Sequence, residues 1–203
     1  MITIIDYGMG NLGSVLNMFK KVGATAKVSS DLNEISKAEK ILLPGVGAFD
    51  TAMRKINEGE LKAVLDHKAL VEKVPVLGIC LGMQLLTNNS EEGELDGLGW
   101  IDAETLDFSH RIDNGLKVPH MGWNIAEISQ ETPLTKDYQD EIRFYFVHSY
   151  FVKVKDEKNS MMKTHYGITY DSAIVKDNIF GAQFHPEKSH RFGMHLFKNF
   201  NQL

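Results

Sequence analysis

The segment from Val76 to Gln84 limits the possible folds of this chain more than any other part of its sequence. An apolar run typical of a buried strand leads through Gly-Ile-Cys-Leu-Gly, residues 78–82, into a run of helix-forming residues. Such a sharp strand-to-helix turn holds one reactive side chain at the carboxyl edge of a parallel sheet. Cys80 is therefore predicted to be a nucleophile at the start of a helix, where the thiolate is favoured. The alternative is an inert cysteine in a core strand.

A second segment, Gly-Ala-Gln-Phe-His-Pro-Glu at 181–187, carries the groups that a cysteine nucleophile requires. The thiol needs a base for its proton, and the base needs an acceptor that orients its ring. In extended backbone, residues two apart project to one face, so the carboxylate of Glu187 is predicted to reach the imidazole of His185. Pro186 is expected to keep the segment extended or turned and to block a helix. The sequence thus predicts a triad of Cys80, His185 and Glu187.

The composition excludes several classes of protein. With 203 residues and 43% hydrophobic content, residues 1–203 are expected to form one well-buried domain. A formal net charge of −5 argues against nucleic-acid binding. No apolar stretch approaches the roughly 20 residues that a membrane span needs, and no signal-peptide pattern follows Met1. A single thiol that is meant to stay reduced predicts a cytoplasmic location. The eight histidines lack metal-ligand spacing, so neither a metal nor a cofactor is expected.

Strand and helix patterns alternate through the first half, and short strands dominate the second. The predicted first-half elements are strands at 2–6, 24–28, 40–43 and 76–79 and helices at 12–22, 49–57 and 61–71. The predicted second-half strands are 100–108, 124–128, 144–147, 151–154, 172–175 and 179–183. Ser189 is expected to cap a terminal helix that ends near residue 200. The alternation predicts an α/β fold: a single doubly wound, mostly parallel sheet flanked by helices, with added antiparallel strands.

A glycine-rich turn near the N-terminus offers a different interpretation. The run from Gly8 to Gly13 matches the G-x-G-x-x-G pattern of dinucleotide-binding proteins, and Asp31 follows about 20 residues later. Asp6 and Tyr7, however, separate the strand from the first glycine, which would place a carboxylate beside the pyrophosphate. An ordinary tight turn is therefore favoured, and dinucleotide binding with a structural Cys80 is kept as the alternative.

Acyl transfer to a thiolate passes through a tetrahedral oxyanion, which requires N–H donors already in place. The geometry of the turn supplies one donor, the backbone N–H of Leu81. A second must come from a neighbouring loop, and Pro-Gly-Val-Gly at 44–47 is the candidate. Its glycines allow backbone close to a substrate and a peptide flip, which assigns Gly45 and Val46 to the oxyanion hole. An ordinary turn is the competing interpretation.

Six sequence blocks, taken together, resemble one known family. They are Ile-Asp-Tyr-Gly-Met-Gly-Asn-Leu (5–12), Pro-Gly-Val-Gly-Ala-Phe (44–49), Gly-Ile-Cys-Leu-Gly-Met-Gln (78–84), Pro-His-Met-Gly-Trp-Asn (119–124), Tyr-Phe-Val-His-Ser-Tyr (145–150) and Phe-His-Pro-Glu-Lys-Ser (184–189). In this order they look like the glutamine amidotransferase subunits of imidazole glycerol phosphate synthase, which belong to the class I, or triad, amidotransferases. The resemblance covers essentially the whole chain.

The resemblance implies roles for individual residues. Cys80 would attack the side-chain amide of L-glutamine, His185 would move the proton, and Glu187 would orient His185. The positions that match the family's glutamine pocket are Gly47, Gln84, Glu92, His148, Ser149 and Tyr150. An acidic group for the substrate ammonium and donors for its carboxylate are what such a substrate needs. A solvated helix end at Glu92 and plain core packing around His148 are the competing interpretations.

The resemblance also implies a partner. The ammonia would pass to a (β/α)₈-barrel cyclase subunit in a heterodimer, within a synthase of the lyase class. That reaction yields imidazole glycerol phosphate and an aminoimidazole carboxamide ribotide in histidine biosynthesis. The positions that match the partner-facing surface are Asn11, Trp123, Asn124, Tyr145 and Lys188. Reorientation of the Gly45–Val46 peptide is expected to complete the oxyanion hole.

Two stretches depart from the usual pattern of the histidine-pathway subunits, at 99–108 and 189–194. They look closer to a paralogous branch associated with surface polysaccharides, in which the ammonia is thought to amidate an N-acetylated sugar. Amidation of such a sugar is therefore an alternative with the same chemistry at Cys80. A stand-alone cysteine hydrolase acting on peptides or γ-glutamyl compounds is a third, which predicts high activity without any partner.

Overall fold

The computed structural model describes residues 1–112, 115–139 and 141–203. Strands and helices alternate through the first half, as the sequence predicts. Its elements are β1 (Ile2–Ile5), α1 (Leu12–Lys21), β2 (Ala26–Ser29), α2 (Leu32–Ile35), β3 (Lys40–Leu43), α3 (Phe49–Asn57), α4 (Leu61–Asp66) with a π-helical turn (His67–Val71), β4 (Val76–Ile79), α5 (Leu81–Leu85) and β5 (Asn89–Ser90).

The second half is mainly β-structure. Its strands are β6 (Ala103–Asp107), β7 (His120–Ile125), β8 (Glu127–Ile128), β9 (Arg143–His148), β10 (Tyr150–Val154), β11 (Ser160–Tyr166), β12 (Ile168–Lys176) and β13 (Ile179–Ala182). Two short 3₁₀ helices (Glu157–Asn159 and Pro186–Lys188) and the long α6 (His190–Gln202) complete the described elements.

One large sheet runs in the order β2-β1-β3-β4-β13-β12-β10-β6-β5, with β11 pairing to β12 and β8. The first five strands of this order, β2 to β13, are all parallel to one another. The pairings of β12 with β13 and with β10, and of β10 with β6, are antiparallel. The fold is therefore the predicted one, a mostly parallel α/β core with an antiparallel extension. A separate ribbon of β7 and β9 packs beside it.

Alternation along the strands divides the hydrophobic core between the two faces of the sheet. Ile4 of β1 packs in one cluster with α1 and α6, where the rings of Phe19 and Phe197 lie 4.5 Å apart. Ile5, the next residue, belongs to the other cluster, which includes Phe49 of α3. Because consecutive strand residues point to opposite faces, four-residue apolar strands can serve both clusters at once. Helices consequently cover both faces of the sheet.

Most predicted elements lie within a few residues of the observed ones, and the exceptions are informative. The strand predicted at 124–128 is instead β7, which begins at His120, followed by the short β8. The elements α2, β5 and β11 were not predicted. Ser189 precedes α6 as expected but does not cap it, because its hydroxyl donates to the His185 carbonyl (2.6 Å) and accepts from the Tyr145 N–H (2.9 Å).

Candidate active site

Cys80 lies at the turn between β4 and α5, in the backbone geometry of a nucleophile elbow. Its φ of +53° and ψ of −109° lie in a region that non-glycine residues rarely occupy. The central pairing of the sheet holds it there, since the Cys80 N–H donates to the Ala182 carbonyl of β13 at 2.7 Å. Gly82 permits the tight helix start, because a Cβ on it would lie 1.9 Å from the Leu43 oxygen.

His185 and Glu187 follow β13, the strand that lies beside β4. The Nδ1 atom of His185 is 2.7 Å from the Glu187 carboxylate, and both side chains are almost fully buried. The predicted extended geometry is wrong, because Pro186 is the first residue of a 3₁₀ helix and Glu187 reaches back from within that turn. Proline suits this position because a first helical residue has no intrahelical partner for its N–H.

The charges around His185 favour its protonated form. Burial alone would lower the pKa of its imidazole, but the Cys80 side chain and the Glu187 carboxylate raise that pKa to about 9. Among the described residues, no hydrogen-bond partner is found for the buried His185 Nε2, which leaves this nitrogen available to Cys80. The arrangement therefore places a protonated imidazole beside the Cys80 sulfur at neutral pH, and nucleophilic acyl transfer requires such a proton donor and acceptor next to the nucleophile.

Gln183 also contacts the nucleophile, although the sequence did not suggest it. Its Nε2 donates to Cys80 Sγ at 3.6 Å, and its Oε1 accepts from Gln84 Nε2 at 3.1 Å. The side chain of Gln183 is fully buried. Its position one residue beyond β13, opposite the end of β4, could have identified it once the pairing of these two strands was known.

A cavity of about 260 Å³ opens beside Cys80. Cys80 and the expected oxyanion residues Leu81 and Val46 line this cavity. All six residues expected in the glutamine pocket line it as well, namely Gly47, Gln84, Glu92, His148, Ser149 and Tyr150. The Glu92 carboxylate accepts from the Phe49 N–H at 3.1 Å, and partial burial raises its pKa. It is the acidic group at this cavity wall, suited to a substrate ammonium.

The loop after β3 packs directly on the elbow. A Cβ on Gly45 would lie 2.8 Å from the Leu81 Cβ, so the loop backbone can approach the start of α5 only with glycine there. The buried hydroxyl of Tyr7 donates to the Pro44 carbonyl and fixes the preceding peptide. Gly45, Val46 and Leu81 are therefore adjacent, as the oxyanion hypothesis requires.

The residues expected to face a partner lie near the same edge of the sheet. Trp123 of β7 is 47% exposed and stacks on His190 with ring centroids 5.5 Å apart. Its cross-strand neighbour Tyr145 lies under the exposed Lys188, whose Nζ is 5.8 Å from the ring centroid. Asn11 is exposed and its side chain caps α1.

Asn124 differs from the other four because its side chain bonds inward. Its Nδ2 donates to the His165 carbonyl at 2.9 Å and lies 3.2 Å from His120 Nε2. Asn124 is accordingly only partly exposed.

The glycine-rich turn after β1 does not have the features of a dinucleotide site. The Asp6 carboxylate accepts from the Gly8 N–H at 2.9 Å, which occupies an amide that a pyrophosphate would need. A Cβ on Gly13 would meet open space, whereas the third glycine of that fingerprint serves close helix–strand packing. Gly10 instead packs against Pro44 and Gly45, so the turn supports the loop beside Cys80.

No group of three or more side chains suited to bind a metal ion occurs among the residues that the structure describes. In the same residues, no helix is long and apolar enough to cross a membrane.

The family described as glutamine amidotransferase class-I matches residues 3–203. A relative from Methanococcus maripaludis, named imidazole glycerol phosphate synthase subunit HisH 2, is 54% identical over 200 residues, 98% of each chain. A relative of the same name from Pseudomonas aeruginosa is 50% identical over the full length of both chains. Among solved structures, a glutamine amidotransferase superposes with a TM-score of 0.75 at 15% identity, with both chains fully covered. A chain of PurLQS from Thermotoga maritima gives 0.73 at 17% identity, covering 99% of this chain and 95% of the other.

Proposed function

Because the chain belongs to the class I glutamine amidotransferase family, we propose that it is the glutaminase subunit of an imidazole glycerol phosphate synthase in histidine biosynthesis. It would hydrolyse L-glutamine to glutamate and ammonia and deliver the ammonia to a (β/α)₈-barrel cyclase subunit in a cytoplasmic heterodimer. The observation that carries the proposal is the His185–Glu187 pair at 2.7 Å, behind a Cys80 that opens into a cavity of amino-acid size. Full-length relatives at 50% identity or more bear that synthase's name.

The proposed reaction proceeds in two halves. The Cys80 thiolate adds to the side-chain carbonyl carbon of glutamine, and the oxyanion collapses as the C–N bond breaks. The His185 imidazolium gives its proton to the departing nitrogen, which leaves as ammonia. Water then attacks the γ-glutamyl thioester while His185 takes a proton from it. Glutamate leaves and the thiolate is restored.

Glu187 acts in this scheme by keeping His185 protonated and oriented. The pKa of His185, raised to about 9 from an ordinary 6.5, predicts that activity falls as pH rises through about 9. In Glu187→Gln one of the groups that raise this pKa is lost, so the fall should move to lower pH by about one unit or more. The measurement is kcat/KM for glutamine hydrolysis from pH 6 to pH 10. An alkaline limb that stays near pH 9 in Glu187→Gln would contradict this role.

The oxyanion is proposed to be stabilised by the N–H of Leu81 and by the Gly45–Val46 peptide after reorientation. Gly45→Ala is expected to lower kcat by about 100-fold, because its Cβ holds the loop away from Leu81 and one donor is lost. KM for glutamine should change much less, since the cavity walls formed by other loops remain. Hydrolysis and partner-coupled activity would be measured on the same preparation. Full coupled activity in Gly45→Ala would rule out this assignment.

The partner-facing surface is proposed to comprise Asn11, Trp123, Asn124, Tyr145 and Lys188. The exposed indole of Trp123 is the kind of side chain that anchors interfaces, and Lys188 directly follows Glu187 of the triad. A cyclase seated here would therefore lie beside the catalytic residues, where ammonia is released.

A second candidate function shares this chemistry but not its acceptor. The stretches at 99–108 and 189–194 favour it, because they depart from the pattern expected of histidine-pathway subunits and look closer to the branch associated with surface polysaccharides. The ammonia would then amidate an N-acetylated sugar. The two functions differ in which synthase partner stimulates the glutaminase.

One experiment tests the proposed function. Glutamate release from glutamine is measured with the purified chain alone, then with the host's cyclase plus its nucleotide ligand, using Cys80→Ala as control. Strong stimulation that is absent in Cys80→Ala supports the histidine-pathway function. Cys80-dependent hydrolysis that the cyclase leaves unchanged favours the sugar-amidation candidate. The triad assignment would be overturned if no Cys80-dependent hydrolysis occurred either in the chain alone or in its mixture with the cyclase and nucleotide.

A further inference from the structure

A buried chain of hydrogen bonds connects the wall of the cavity with β7. His148, which lines the cavity, has its Nδ1 2.7 Å from the Tyr150 carbonyl and its Nε2 3.2 Å from the Tyr170 hydroxyl. The same hydroxyl is 3.1 Å from His120 Nδ1, and His120 Nε2 is 3.2 Å from Asn124 Nδ2. His120 and His148 are direct cross-strand partners in the β7–β9 ribbon, and Tyr170 of β12 spans them.

Which group donates in each of these hydrogen bonds follows from the Tyr150 carbonyl at one end of the series. The Tyr150 carbonyl can only accept, so His148 donates through Nδ1 and must accept through Nε2 from the Tyr170 hydroxyl. The Tyr170 oxygen then accepts from His120 Nδ1, which leaves His120 Nε2 to accept from the Asn124 amide. The two bonds that His148 Nε2 and His120 Nε2 accept require neutral imidazoles. Burial lowers the pKa of His148 to about 3 and that of His120 to about 4, so both rings are neutral at physiological pH.

Aromatic packing fixes the middle of this chain. The His120 ring stacks between Tyr166 and Phe146, at centroid distances of 4.0 and 4.8 Å. The His120 ring is held on both faces and cannot rotate to follow Asn124. A displacement of Asn124 therefore changes the length of its hydrogen bond to His120. Loss of any one bond would leave a buried polar atom unpaired, which makes such networks sensitive to their ends.

We propose that Tyr170 is a positioning residue that holds His148 and the Tyr150 carbonyl in the glutamine pocket, and that through His120 it links this wall to Asn124 at the partner-facing surface. The inference rests on the proposed function, because Asn124 acquires its significance only if a partner binds there. Seating of that partner would shift Asn124, and the directional chain would transmit the shift to the pocket wall.

The test uses the full chain, alone and in complex with the cyclase plus its nucleotide ligand. Tyr170→Phe keeps the ring but removes the hydroxyl that joins the two histidines. It is expected to raise KM for glutamine about five- to tenfold and to lower the stimulation by the partner by a similar factor. Tyr166→Phe is the matched control. The hydroxyl of Tyr166 donates to the Lys117 carbonyl at 2.8 Å and takes no part in the hydrogen bonds between His148 and Asn124. This variant should stay within about twofold of the unmodified chain in both quantities.

His120→Phe supplies a second variant in case Tyr170→Phe does not fold. It keeps an aromatic ring in the stack and leaves the Tyr170–His148 bond intact, so stimulation should fall while KM rises less than in Tyr170→Phe. Stimulation and KM both unchanged in Tyr170→Phe, or unchanged stimulation in His120→Phe, would overturn the proposal. If the cyclase does not stimulate the unmodified chain, the proposed function fails instead, and KM of Tyr170→Phe still tests the positioning role.

Discussion

Replacement of Cys80 by alanine should lower glutamine hydrolysis by about 10⁴-fold or more, because the chain has no other thiol to form the covalent intermediate. Gln183, whose amide contacts the sulfur, and the His185–Glu187 pair remain in place but have no nucleophile to serve. The measurement is glutamate release at saturating glutamine in the complex with the cyclase. Glutamine binding, measured by calorimetry, should survive, since the other cavity walls are unchanged.

The control for this variant is the ammonia-dependent reaction. With ammonium salt in place of glutamine, the complex containing Cys80→Ala should form product at the rate of the unmodified complex, because the acceptor site is proposed to lie on the cyclase. Failure of both reactions would indicate a misfolded or unassembled variant. More than about 1% residual glutaminase activity would show that Cys80 is not the nucleophile.

Gly82→Ala is expected to destabilise the fold strongly. The new Cβ would lie 1.9 Å from the Leu43 oxygen, and the neighbouring atoms belong to the backbone of β3 and cannot rotate away. Separating α5 from β3 disturbs the centre of the sheet and should cost about 3 kcal/mol or more of the free energy of unfolding. Urea unfolding followed by circular dichroism measures it.

Gly13→Ala is the matched control for Gly82→Ala. Gly13 lies in the exposed first turn of α1, where a Cβ meets open space. Alanine there should stabilise the protein by about 0.5 kcal/mol through its higher helix propensity. A Gly82→Ala variant within about 1 kcal/mol of the unmodified chain would show that the contact with β3 relaxes at little cost.

The elements around the nucleophile could be predicted because each is defined by local sequence. β3, α3 and β4 are apolar or amphipathic runs bounded by turn residues, and their observed limits match the predicted ones. The elbow follows from residues 78–82 alone. Even so, the predicted geometry of Glu187 was wrong, because Pro186 tolerates both an extended segment and the first turn of a helix.

The parts that were missed depend on distant residues. β7 contains His120, and from sequence alone a histidine is expected to be exposed. His120 is buried because the hydroxyl of Tyr170, 50 residues away, is its hydrogen-bond partner. β11 carries Met161, Met162 and Thr164 without a clear alternation, and its strand character comes from pairing with β12. Ser189 has the residue type and position of a helix cap, yet its hydroxyl bonds to distant backbone instead. Gln183 was missed for the same reason.

The position of β13 beside β4 in the centre of the sheet has a consequence for synthesis. Cys80 leaves the ribosome about a hundred residues before His185, and only the pairing of these two strands brings them together. Contacts between such distant residues form late, since the long intervening segment must close first. A nascent chain that has not yet reached β13 therefore carries its thiol without the base that activates it. In the proposed reaction, ammonia can be released only after β13 has paired with β4, so unfinished chains are expected not to consume glutamine.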